Sequence, residues 1–138
     1  MMADSYQPRP IPAPTPNCET QEFWTAAQDG RLLLRHCESC GRSHWYPRAV
    51  CPFCDSTSTS WRQASGRGVI YTFSVMRRAR IPFACAYVSL DEGPTMLTNI
   101  VDCDFGGLRI GAAVQAAFVP AQESGQMVPV FRLCSGSE

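Results

Sequence analysis

The sequence contains no run of about eighteen apolar residues, which removes a membrane-spanning helix of the usual kind. Its opening stretch, "MMADSYQPRPIPAPTP", lacks an apolar core behind a basic start, so it does not read as a secretory leader, and a cytoplasmic location is expected. Net charge is missing too, because 12 Lys and Arg balance 12 Asp and Glu. A nucleic-acid binder normally carries a basic excess or a basic face, so that class loses support, as does a membrane-surface role. Histidine is scarce, at two in 138 residues, which leaves little material for a Cys–His or Ser–His pair. There is no Gly-x-Ser-x-Gly elbow, no His-Glu-x-x-His and no glycine-rich phosphate loop. No free-standing catalytic constellation remains.

Cysteine, by contrast, is plentiful, with eight in the chain. Thiols stay reduced in the cytosol, so disulfides are a poor explanation for them. Four of the eight fall in two knuckles, "CESC" at 37–40 and "CPFC" at 51–54. A Cys-x-x-Cys turn points two sulfurs at one place, and two such turns facing each other complete a tetrahedron. Cys37, Cys40, Cys51 and Cys54 are therefore the candidate ligands of a zinc ion. An iron centre on the same thiolates is the alternative metal. A redox Cys-x-x-Cys is less apt, since it stands alone at a helix start in a βαβ setting that is not visible here. Gly41 follows the first knuckle where a tight turn needs a positive φ, and Pro52 stiffens the second. Four thiolates leave no open position for water, so such an ion holds the chain together and does no chemistry. It would supply about 10 kcal/mol or more to a ribbon with almost no core of its own.

The rest of the chain falls into four parts. Residues 1–18 form a proline-rich extended arm, with Pro8, Pro10, Pro12, Pro14 and Pro16 excluding helix and central strand. It reads as a disordered tail or as a strap along a partner. Residues 19–30 read as a short helix with Phe23, Trp24 and Ala27 on one face, ended by Gly30. It is too short to stand alone and is expected to dock. The knuckles occupy 31–60, entered by a strand in "RLLLRHC". Residues 61–135 are β-rich, with five strands expected at 68–76, 83–90, 95–102, 114–119 and 128–134. Five strands suggest a small barrel, the OB-fold being the five-stranded option, or else a short sandwich.

Other candidates are weighed against ordinary structural roles. His36 and His44 flank the knuckles and are expected at the surface or beside the ligands. Cys18, Cys85, Cys103 and Cys134 lack ligand spacing and read as small hydrophobes. Asp91–Glu92 and Asp102 with Asp104 read as turn residues. Tyr71, Phe73 and Tyr87 are expected in the core, with a stacking platform as the alternative. Arg77, Arg78 and Arg80 form a basic cluster at a strand end, either solvated or facing phosphates.

One order of segments resembles a known family. A helix containing "FW" is followed by "GRLLLRHCESCGRSHWYPRAVCPFC", then "GRGVIYTFSVM", "PFACAYVSLDEG", "TNIVD" and "IGAAVQAAF". Over roughly residues 19–120 this is similar to the family that joins a rubredoxin-like zinc ribbon to an OB-fold, catalogued as domain of unknown function 35. The resemblance implies a mainly β protein: an N-terminal helix, the ribbon, then a five-stranded barrel. It implies zinc on Cys37, Cys40, Cys51 and Cys54. It also implies a non-catalytic accessory subunit. Its partner would be a thiolase-superfamily enzyme (acyltransferase, thiolase or retro-aldolase), in a hetero-oligomer with two copies of each chain. The barrel would help hold an acyl-CoA. Phe23, Trp24, Trp45 and Tyr46 would then be docking residues, and Arg77, Arg78 and Arg80 would meet CoA phosphates. Many relatives carry a longer loop between "SVMRRA" and "PFACAY", where this chain has only Arg80 and Ile81. OB-folds and zinc ribbons also serve nucleic-acid binding, and the neutral charge is the feature that argues against that reading.

Overall fold

Alternate prolines keep residues 6–17 out of helix and strand in the structure, a computed structural model that describes residues 6–134. In the structure the described part of the arm lies along its own barrel. Tyr6 donates its backbone N–H to the Cys103 carbonyl at 2.8 Å, and the Ile11 carbonyl accepts from Gln122 at 2.7 Å. Between them the Arg9 guanidinium stacks 3.8 Å over the Phe83 ring. The expectation for residues 1–5 lies outside the described residues.

Helix α1 (Gln21–Gln28) is only eight residues long, and packing holds it. Phe23, Ala26 and Ala27 recur at helical spacing and are buried. Gly30 ends the helix at φ 75°, its N–H donating to the Ala27 carbonyl at 3.0 Å. Two bonds tie α1 to the far end of the chain: Gln126 Nε2 donates to the Trp24 carbonyl at 3.0 Å, and the Met127 N–H donates to Gln28 Oε1 at 2.7 Å.

The ribbon is a three-stranded antiparallel sheet in the order β2-β1-β3. Its strands are β1 (Leu33–Cys37), β2 (Ser43–His44) and β3 (Thr59–Gln63). Strand β3 runs across the ribbon–barrel boundary expected at 60/61 and pairs with all of β1, Leu33 facing Gln63 and Cys37 facing Thr59. Neither β2 nor β3 is announced by apolar alternation, because both are held mainly by backbone pairing to β1.

The remaining strands are β4 (Arg67–Met76), β5 (Phe83–Leu90), β6 (Thr95–Val101), β7 (Ala113–Pro120) and β8 (Met127–Leu133). They close a barrel in the order β4-β5-β6-β8-β7, with β6 and β8 parallel and β4 returning to β7. This is the five-stranded Greek-key closure of an OB-fold, and it excludes the sandwich. Period-two alternation turns Ala84, Ala86, Val88 and Leu90 of β5, and Met96, Thr98 and Ile100 of β6, into the interior, where they meet Ile70, Val114 and Phe131. At the seam, a Cβ on Gly68 would lie 2.5 Å from the Ser89 carbonyl, so only glycine lets β4 close on β5 there. A register shift between Ile70 and Thr72 throws Tyr71 outward to 65% exposure. Tyr87 is 45% exposed as well, so these two tyrosines are surface residues and the core expectation holds only for Phe73, which packs partly buried against it.

The turn carboxylates do turn chemistry. Glu92 accepts the Ser65 N–H at 2.8 Å, Asp104 accepts from Gly106 at 3.2 Å, and Asp102 pairs with Arg132 at 3.6 Å. Among the described residues no helix is long and apolar enough to cross a membrane.

Candidate metal centre

The two knuckles are built alike. In each, the carbonyl of the leading cysteine accepts from the residue four positions on: Gly41 bonds to Cys37 and Asp55 to Cys51, both at 2.9 Å. The leading N–H then donates to the residue five positions on, Arg42 or Ser56, again at 2.9 Å. Gly41 sits at φ 76°, as its place after the first knuckle requires, and Asp55 occupies the equivalent position at φ 66°. Strand β1 delivers Cys37 and β3 braces it from the other side. The result is two sulfur-bearing turns facing one another.

All four Sγ atoms of Cys37, Cys40, Cys51 and Cys54 lie within 4.8 Å of one another. Cys37 and Cys54 are 3.6 Å apart, and Cys40 and Cys51 are 3.8 Å apart. A zinc–thiolate bond of about 2.3 Å places the corners of its tetrahedron about 3.8 Å apart, so the set fits zinc in size and chemistry. Cys37 and Cys51 are fully buried, while Cys40 and Cys54 face outward. Backbone N–H groups point at the inner pair, Cys40 N at Cys37 Sγ and Phe53 N at Cys51 Sγ, each at 3.4 Å. Such donors favour thiolate. The Cys37 thiol is accordingly drawn down to about 6, first by the Cys40 N–H and against desolvation. Cys54 is raised: the Ser56 N–H lowers it, but the neighbouring thiols, Cys37 foremost, together with desolvation outweigh that.

Among the described residues no histidine or carboxylate joins this group. His36 bonds to Ser43 Oγ through Nδ1 at 3.1 Å. His44 is not a surface group, being 2% exposed. The other cysteines stand apart, and burial next to Asp104 and Asp102 pushes the Cys103 thiol up to about 11.

The residues expected to dock are distributed unevenly. Phe23 is 1% exposed, its ring 4.9 Å from that of Trp24 and 4.8 Å from that of Trp45, so it pins α1 to the ribbon and is not a surface anchor. Trp24 and Trp45 are partly buried against the same core, and Tyr46 is 46% exposed. Arg77, Arg78 and Arg80 all lie exposed in the β4–β5 turn. The arm adds a cation that sequence reasoning missed, since Arg9 on Phe83 stands at the same end of the barrel. Only the fold could reveal it, because 74 positions separate Arg9 from Phe83.

A closed four-sulfur ribbon leading into a five-stranded barrel defines the class: a rubredoxin-like zinc ribbon joined to an OB-fold. Two family descriptions match in that order, the ChsH2 rubredoxin-like zinc ribbon domain over residues 24–60 and the ChsH2 C-terminal OB-fold domain over residues 61–119. The chain belongs to the DUF35 family. It is 33% identical over 101 residues to a DUF35 domain-containing scaffold protein of Methanocaldococcus jannaschii, covering 68% of this chain and 72% of that one. A scaffold protein of the same description from Methanothermobacter thermautotrophicus is 31% identical, covering 78% and 87%. A probable enoyl-CoA hydratase alpha subunit of Thermomonospora curvata is 29% identical over 88% of this chain, which spans only 39% of that longer protein. Among solved structures, a chain of the Ltp2-ChsH2(DUF35) aldolase superposes with a TM-score of 0.76 at 28% identity, over 88% of this chain and 98% of that one. A DUF35-family protein from Sulfolobus solfataricus shares the fold, with a TM-score of 0.63 at 13% identity and coverage of 86% and 87%.

Proposed function

We propose that this protein is a non-catalytic accessory subunit of a multichain enzyme acting on CoA thioesters. Its partner in this reading is a thiolase-superfamily enzyme, an acyltransferase, thiolase or retro-aldolase, assembled with two copies of each chain. The observation that carries the reading is the closed sulfur site. Zinc held by Cys37, Cys40, Cys51 and Cys54 would rigidify the ribbon with no coordination position left for substrate. The similarity to scaffold proteins and to a chain of an aldolase supports the same role.

The division of labour follows from the surfaces. Tyr46 and the outward parts of Trp24 and Trp45 offer aromatic contact area beside the ribbon. Arg77, Arg78 and Arg80 crown the barrel end where CoA phosphates would reach them, bidentate donors being suited to phosphate oxygens. The reacting groups would belong to the partner. Affinity purification of the tagged chain from its host, followed by native mass spectrometry, tests this. The expected species is a stable heteromer with a thiolase-superfamily enzyme, two copies of each. Recovery of the chain without such an enzyme would overturn the proposal. Replacing Arg77, Arg78 and Arg80 with alanine is expected to weaken acyl-CoA binding by the complex about tenfold or more, roughly 1.4 kcal/mol. Unchanged affinity would remove the arginines from the site without touching the accessory role.

A further inference from the structure

One face of the barrel is both exposed and uncharged. Strands β4, β5 and β6 hold a single charged residue among them, Arg67 at the start of β4. On their outer side Tyr87 pairs with Thr72 on one flank and with Leu97 on the other, and the register shift in β4 brings Tyr71 beside them. Leu97 is 57% exposed, and Val69 adds another exposed apolar side chain two positions before Tyr71. Exposed apolar patches of this kind mark interaction sites. Polar side chains within the face already have partners. Ser89 Oγ and Thr95 Oγ1 are 3.3 Å apart, Asn99 Nδ2 donates to the Ala84 carbonyl at 3.2 Å, and Ser74 Oγ donates to Met76 Sδ at 3.9 Å. A covering surface need replace none of these bonds. The tyrosines can bury their rings and keep their hydroxyls at a wet edge.

The charges at the two ends of this face say what covers it. Arg78 and Arg80 are exposed in the β4–β5 turn, and Asp91 and Glu92 are exposed in the β5–β6 turn at the opposite end. Tyr87 lies midway, four positions from Phe83 at the start of β5 and four from Asp91. A two-fold axis lying in the interface and crossing the strands at Tyr87 therefore sets the arginine turn of one copy against the acidic turn of the other. The same axis places Tyr87 and Leu97 against their own counterparts, apolar on apolar. A nucleic acid or a membrane surface asks for cations across the face, and these strands offer none beyond Arg67.

We infer that the outer face of β4–β6 docks a second copy of this chain, Tyr71, Tyr87 and Leu97 forming the centre and the arginine and acidic turns meeting at the rim. The contact shares the arginine turn with the CoA reading but does not rest on the accessory-subunit proposal. Its test contains neither enzyme nor CoA, so its failure leaves that proposal standing. The test is sedimentation velocity on the zinc-loaded full chain over a concentration series. Three strands make a narrow contact at the low end of specific interfaces, so the expected result is a monomer–dimer equilibrium with a dissociation constant of about 10–100 μM. Leu97→Lys sets two ammonium groups face to face and should leave only monomer. Arg78→Glu and Asp91→Lys should each weaken the dimer about threefold or more, and both changes in one chain should restore it. Zinc content and melting temperature show whether each variant is folded, and the charge pair carries the test if Leu97→Lys does not fold. A monomer up to about 0.5 mM, or a dimer indifferent to Leu97→Lys, would overturn the inference. Failure of the double variant to restore the dimer would overturn the two-fold arrangement. Saturable binding of oligothymidylate by a monomeric chain, lost in Tyr87→Ala, would give the face to single-stranded nucleic acid and overturn the inference as well.

Discussion

Between Cys37 and Gln63 only Cys37, His44, Pro47 and Cys51 are buried, and two of those four are metal ligands. The barrel, in contrast, buries side chains from all five of its strands around Phe131 and Ile100. The same chain thus solves the stability problem twice. The ribbon exchanges a hydrophobic core for ion–sulfur bonds, because strands of five, two and five residues cannot enclose one. The barrel has no use for an ion, because its alternating strands close on themselves. Phe23 bridges the two solutions, since its ring contacts Trp45 of the ribbon while α1 is bonded to the start of β8.

If that contrast is right, the two regions fail differently. Stripping zinc with a chelator, or replacing Cys51 with serine, should have the largest effect, removing about 10 kcal/mol or more of ribbon stability. Amide-exchange NMR should then show protection lost in β1–β3 and retained in β4–β8, and simultaneous loss in both would mean that they form one cooperative unit. Phe131→Ala is the converse probe. Phe131 is 0% exposed, and its truncation should cost about 3–5 kcal/mol in urea denaturation while bound zinc, measured by elemental analysis, stays at one per chain. Gly68→Ala sharpens the barrel side further. Its new Cβ would press on the Ser89 carbonyl and force the β4–β5 seam to shift, at a cost of about 1–3 kcal/mol with zinc again unaffected. The smallest effect belongs to the arm: Arg9→Ala should lower stability by about 0.5–1 kcal/mol through the lost stack on Phe83. A urea midpoint that did not move would show that the backbone bonds at Tyr6 and Ile11 hold the arm unaided.

The barrel strands were legible because each is a short run rich in β-branched and aromatic residues, set off by turn residues. The expected 83–90 coincides with β5, and the other four lie within a residue of their observed ends. The four ligands were legible because knuckle spacing is a local property of the chain. Three features were not, and each depends on distant residues. Strand β3, "TSWRQ", has no apolar face and becomes a strand only by backbone pairing with β1. The arm reads as a tail or a strap because proline marks what it cannot form, while its contacts, two main-chain bonds and the Arg9 stack on Phe83, join residues far apart in the sequence. His44 reads as a residue at the surface or beside the ligands, and nothing in "SHWYP" tells of the burial that the fold gives it.

The bonds that seat α1 reach across the whole polypeptide: Gln126 meets Trp24 at a separation of 102 positions, and Met127 meets Gln28 at 99. Synthesis from the amino end therefore produces this helix about a hundred residues before the strand to which it is bonded. Until the β7–β8 hairpin leaves the ribosome, Trp24 and Gln28 have no β8 to settle on, so α1 is made well before its seat is complete.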